Sequence, residues 1–157
     1  MAASVEIFDQ ALKVRLAKMI AANRDARPLT AAWAADLHGG VEDVLEAEGL
    51  PRWQALSKIT RARRAGKNKT GKMLQVTGKL AASIQPDSGA AFAQVTTNDV
   101  RARTLHAGAK QGQFGRSKRN GPLPWGNIPA RPFMVIPPYV KATIVARGLK
   151  WVSGNGL

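Results

Sequence analysis

Acidic residues all but stop a third of the way along this chain. Residues 1–50 carry 5 Lys/Arg and 8 Asp/Glu, whereas residues 51–157 carry 19 Lys/Arg and only Asp87 and Asp99. No fold can neutralise the second stretch from its own acids, so one surface must be strongly electropositive. That surface needs an anionic counterpart, whether nucleic acid, membrane or an acidic protein face. Composition leaves these three open.

The length of 157 residues suits one domain with a modest core and leaves no room for a two-domain enzyme. With no cysteine, disulfides, thiol nucleophiles and thiolate metal sites are excluded, and two histidines cannot alone close a structural zinc site. We therefore expect no metal and no cofactor. Apolar runs are only a few residues long, and Glu6 and Asp9 stand where a signal peptide needs an apolar core. The expectation is a chain without a membrane span or an export signal.

Residues 4–22 place Val5, Phe8, Leu12, Leu16, Met19 and Ile20 three or four apart, the period of an amphipathic helix, with Ser4 as N-cap and Asn23 at its end. After Arg27-Pro28 the period resumes at Trp33, Leu37, Val41, Val44 and Leu45, with Thr30 as the cap of a second helix. Gly39-Gly40 predicts a thin or kinked spot there. Residues 58–72 carry seven cations, two glycines and no acid, which reads as a solvated loop. Thr77 is placed to cap a short helix from Gly78 that sets Leu80 and Ile84 one turn apart. Pro86-Asp87-Ser88-Gly89 reads as a turn, with a strand over 90–97 pairing back as a hairpin. Asn98-Asp99 can cap a helical turn through Leu105 and His106 that Gly108 stops. Residues 108–127, rich in glycine and cations, read as a flexible basic arm, with Phe114, Leu123 and Trp125 as its anchors on a neighbour. A strand over 133–136 and a last helix opened by Pro137-Pro138, with Val140, Ile144, Val145 and Trp151 on its stripe, complete the chain. The fold class expected is α+β in a single domain over 1–157. It has two N-terminal helices within 1–48, a small antiparallel sheet, a long basic loop and a C-terminal helix.

No set of residues points to catalysis. His38 lies in a helical pattern near Asp36 and Glu42, but a general base needs a nucleophile and a shaped cleft as well as an acid. Carboxylates fit for paired hydrolysis or for holding magnesium nearly vanish after Glu48. The run from Ala65 to Lys72 lacks the first glycine of a phosphate loop and follows no apolar strand. Aromatics are scarce among the basic runs. Phe114 and Trp125 are the candidates for stacking on a base.

Three stretches in order carry a family resemblance. They are Gly49-Leu50-Pro51-Arg52-Trp53-Gln54-Ala55-Leu56-Ser57, then Met73-Leu74-Gln75-Val76-Thr77-Gly78-Lys79-Leu80-Ala81-Ala82-Ser83-Ile84, then Ile128-Pro129-Ala130-Arg131-Pro132-Phe133. Over roughly residues 5–137 the chain resembles the phage virion morphogenesis family, also described as tail completion proteins of Mu-like phages and prophages. It departs from that pattern at Ala102-Arg103, where the family often has a Tyr-Ala pair, and in the length of its 108–127 insertion. The resemblance implies a structural assembly protein without catalysis, at the head-proximal end of the tail or at the neck. Its implied partners are its own copies in a ring, tail tube or tail terminator proteins and head-connector proteins. The implied location is the virion, after assembly in the host cytoplasm.

The residues fit such a role. Pro129 and Pro132 fix extended backbone, so Ile128 and Arg131 are expected to point out of a rigid strap that Phe133 anchors. Trp53 and Leu56 are expected in the core. The candidate interface comprises Arg131, Phe133, Phe114, Trp125, Arg61, Arg63, Arg64 and Lys67. The basic half could instead make a nucleic-acid-binding module, or touch packaged DNA nonspecifically. No membrane contact is expected.

Overall fold

A computed structural model describes residues 10–23, 25–66 and 71–153. Its elements run α1 (Gln10–Asn23), α2 (Arg27–Glu46), α3 (Lys58–Ala65), α4 (Lys79–Ala82), β1 (Ile84–Ser88), β2 (Ala93–Thr97), α5 (Ala102–Ala107) and α6 (Pro138–Val152). The fold is α+β with a C-terminal helix, as expected. The start of α1 at Ser4 lies outside the described residues.

The centre of the molecule is α2. Its apolar stripe sets Val41, Val44 and Leu45 against Trp53, Met73, Leu80, Ile84, Ala102 and Phe133, which together form the buried core. The helix begins at Arg27 rather than at Thr30, because Asp25 accepts the Arg27 N–H at 3.0 Å and Pro28 is pre-set for a first turn. Thr30 instead donates its hydroxyl to the Gly89 carbonyl at 2.7 Å, tying α2 to the hairpin. Gly39-Gly40 produces no break in α2. A Cβ at Gly40 would lie 2.8 Å from a methyl of Val140, so the missing side chain is what lets α6 close on α2. The Trp33 indole donates to the Ile144 carbonyl at 3.0 Å along the same seam.

β1 and β2 pair antiparallel from Ile84↔Thr97 to Ser88↔Ala93. Pro86, Asp87 and Ser88 therefore belong to the strand, and the reversal falls at Gly89, whose N–H donates to the Phe92 carbonyl. Thr77 is exposed and makes no cap. Gly78 opens α4 at φ +67 with open space around it, so its positive φ is what the position uses. Ile84 begins β1 rather than continuing the helix, yet it still reaches the core beside Leu80.

Two expectations fail in regular structure. Residues 58–65 form α3, not a loop, because Ser57 accepts the Thr60 N–H at 3.2 Å and caps the basic run. Residues 133–136 form no strand. The chain there bends at Met134 and pairs with neither β1 nor β2, bounded as it is by Pro132 and Pro137. Residues 108–127 contain no helix or named strand, but several of their backbone groups pair across an irregular hairpin. Ala109 and Ile128 exchange hydrogen bonds at 2.9 and 2.7 Å, and the Phe114 N–H donates to the Leu123 carbonyl at 2.7 Å. Among the described residues no helix is long and apolar enough to cross a membrane.

Candidate assembly interface

The strap at 128–133 is held from both ends. A Cβ at Gly108, whose φ is +76, would lie 2.6 Å from the Ile128 carbonyl oxygen, so only glycine lets the end of α5 meet the strap this closely. The Arg131 N–H donates to the Leu105 carbonyl at 3.0 Å, and the Trp53 indole donates to the Pro132 carbonyl at 3.1 Å. Phe133 is fully buried and meets His106 edge-on, with ring centroids 5.4 Å apart. Its burial anchors the strap to the core but leaves it no surface to offer a partner, contrary to its place in the candidate interface; Trp53 lies in the core with Leu56 packed against it.

Arg131 is where the sequence reading must be corrected. Its guanidinium was expected to project outward, but the residue is only 7% exposed. In extended backbone, side chains two apart share a face, so the burial of Phe133 draws Arg131 inward with it. It lines a cleft of about 600 Å³ whose opposite wall comes from Gln54 to Ser57 and from Thr60 in the first turn of α3. Arg131 Nη2 donates to the Gln54 carbonyl at 3.3 Å, while Nε is buried without an acceptor. No carboxylate among the described residues pairs with it. Burial first, and then the Arg64 charge, pushes its pKa below the usual guanidinium range. Guanidinium nonetheless keeps its proton at any physiological pH.

The other candidates divide around this cleft. Arg61 and Arg63 are exposed on α3, an element that buries none of its residues, and Arg64 donates to the Gly71 carbonyl at 3.3 Å. Lys67 lies outside the described residues. Phe114 and Trp125 sit on the hairpin, 55% and 73% exposed, and neither lines the cleft. Gln54, Ser57, Thr60 and Asn127 were not anticipated as cleft residues. Ser57-Lys58-Ile59-Thr60, with a capping serine before a run of helix formers, was the signal available for α3.

Elsewhere polar groups are spent on structure, the Trp151 indole N–H, buried without an acceptor, being an exception. His38 lies 3.2 Å from the Ile84 carbonyl and 3.7 Å from Glu42, tying α2 to β1. Glu48 accepts the Met73 N–H at 2.7 Å, and this bond holds its carboxyl below the ordinary range. Among the described residues no group of acids and histidines is placed to hold a metal ion.

The model of the phage virion morphogenesis family matches residues 7–152, nearly the whole chain. The chain belongs to this family. The three sequence stretches that suggested it are the ones that build the site: the first supplies the cleft wall, the second the α4–β1 corner of the core, and the third the strap. No curated protein and no solved structure matches the chain. A phage virion morphogenesis protein is a structural assembly protein, and the role of this one is in building a virion.

Proposed function

We propose that this virion morphogenesis protein is a tail completion or neck component. It multimerises at the head-proximal end of the tail and helps join tail to head, touching tail tube or tail terminator proteins on one side and head-connector proteins on the other. It works in the host cytoplasm during assembly and then stays in the virion. The observation that carries this reading is family membership across residues 7–152 in a chain whose α3 cations form no ion pair with a described acid. A cyclic assembly would repeat one heterologous contact until the ring closes. The exposed Phe114 and Trp125 supply apolar area for such a contact. Mass spectrometry of purified virions should find several copies per particle. Its absence from mature particles would overturn the neck assignment.

A nucleic-acid role has one feature in its favour, the folding of the basic run into a helix with Arg61 and Arg63 exposed. Unaccompanied charge gives nonspecific affinity only, and α3 carries no stacking platform. Changing Arg61, Arg63, Arg64 and Lys67 together to glutamate separates the readings. Loss of joining with weak, sequence-blind duplex binding supports the protein interface. Duplex binding that is tight, sequence-specific and lost in the variant, with joining intact, supports DNA, and its affinity would fall with salt at a logarithmic slope of about −0.9 per phosphate contact.

A further inference from the structure

Every described carboxylate of this chain already has a partner of its own. Asp36 takes Arg147 at 2.9 Å, Asp99 takes Arg101, Glu46 takes Lys72, and Glu48 takes a backbone N–H together with Arg52. The remaining four engage Arg27, Tyr139, His38 and the Gln94 amide. On the cationic side the balance fails at one buried point. Arg131 is nine-tenths buried with Nε unsatisfied, and its guanidinium borders an open cleft.

We infer that the cleft between the first turn of α3 and the strap receives a carboxylate side chain on an acidic segment of a different protein, with Arg131 as its counter-charge. The inference names the partner's chemistry and rests on the assembly reading for that partner being a virion neighbour. A second copy of this chain is a poor donor, since its described acids are committed. A carboxylate fits the planar fork of a guanidinium through two parallel hydrogen bonds. The cleft walls include Ala55, Leu56, Ile128 and Pro129, which suit the methylenes of a glutamate or aspartate better than the sugars flanking a phosphodiester. A nucleic-acid backbone would also need a row of exposed cations in phosphate register, whereas Arg131 is a single charge at depth. Arg61 and Arg63, exposed on α3 beyond Thr60 of the cleft lining, draw an acidic segment toward the opening.

The test uses the full chain, nitrogen-15 labelled, and reads the Arg131 Nε–H and Trp53 indole N–H resonances. The indole is a second reporter because it bonds the Pro132 carbonyl next to Arg131. Hexaglutamate blocked at both ends is titrated at about 0.5 M salt, where screening beyond roughly 4 Å suppresses diffuse attraction. Inorganic phosphate and a short DNA duplex are the other arms. Hexaglutamate should move both resonances. Arg131→Met should weaken it at least tenfold, Arg131→Lys should lose most of the binding, and the Arg61→Glu, Arg63→Glu pair should weaken it less than threefold. Equal binding by Arg131→Met, or hexaglutamate binding that leaves both resonances in place, overturns the proposal. Movement by duplex or phosphate instead of hexaglutamate overturns it in favour of a phosphate site. Should Arg131→Met not fold, the wild-type resonances decide alone. Failure here leaves the virion role standing, because particle composition is measured separately.

Discussion

Asp36 on α2 and Arg131 on the strap are both charged groups drawn in from solvent, and the fold treats them in opposite ways. Asp36 receives a two-point contact from Arg147 at 2.9 and 3.1 Å, along a seam where Gly40 admits Val140 and the Trp33 indole finds a carbonyl. Arg131 donates one long bond from its guanidinium to the Gln54 carbonyl and keeps a buried donor with no acceptor. An unpaired buried charge is costly, and the Asp36 charge on the α2–α6 seam is matched as folded while the Arg131 charge on the strap is not, although α6 also keeps the Trp151 indole N–H buried without an acceptor. The one buried guanidinium without a carboxylate among the described residues borders an open cleft beside the exposed cations of α3, which is where the proposed partner's carboxylate would enter.

The largest effect should come from the residue that joins the two regions. Phe133→Ala empties a fully buried site between core and strap, and should cost about 3–5 kcal/mol in urea unfolding. Asp36→Ala comes next. The pair is partly exposed, 18% and 31% at the two side chains, so a loss of about 1–2 kcal/mol is expected, between the surface and buried limits. The same experiment at Arg131 should give the opposite sign or nothing. Arg131→Met keeps the aliphatic stem, removes the unpaired donor, and should leave stability within about 1 kcal/mol of wild type or raise it. A loss comparable with that of Phe133→Ala would break the comparison.

The smallest effect is on pH. Side-chain and backbone hydrogen bonds from Arg101 lower the Asp99 carboxyl from 3.8 to about 2, and Arg27 lowers Asp25 in the same way. A depressed folded-state pKa stabilises above the unfolded value and is lost as pH falls through the folded one. Melting temperature should therefore decline between about pH 4 and pH 2, and Asp99→Asn should flatten part of that decline. Identical profiles for variant and wild type would show that the pair contributes nothing.

Much of the fold outside the strap cleft was legible in the sequence. The α2 stripe, the Pro137-Pro138 start of α6, the stop at Gly108 and the hairpin strand all follow from local period and turn chemistry. The region around that cleft was less so. Like charges along 58–65 suggested a loop, although Ser57 was in place to cap a helix of arginine and alanine, both good helix formers. The burial of Arg131 depends on Gln54, which lies 77 residues away and which no local pattern brings near. Its one local sign was the two-residue step to Phe133. The 108–127 segment reads as glycine-rich coil because its bonds are pairs across an irregular hairpin without strand periodicity. Hydrogen exchange on the free protein measures how firmly they hold it, and strong protection throughout would exclude a mobile arm.

The most direct test of the central claim, that the strap cleft is left incomplete for a protein partner, is the yield of tail-to-head joining with Arg131→Met measured beside its urea midpoint. The account predicts joining reduced at least tenfold with the midpoint unchanged or raised, since the guanidinium serves the assembled particle rather than the fold. Full joining by a normally folded Arg131→Met protein would contradict it.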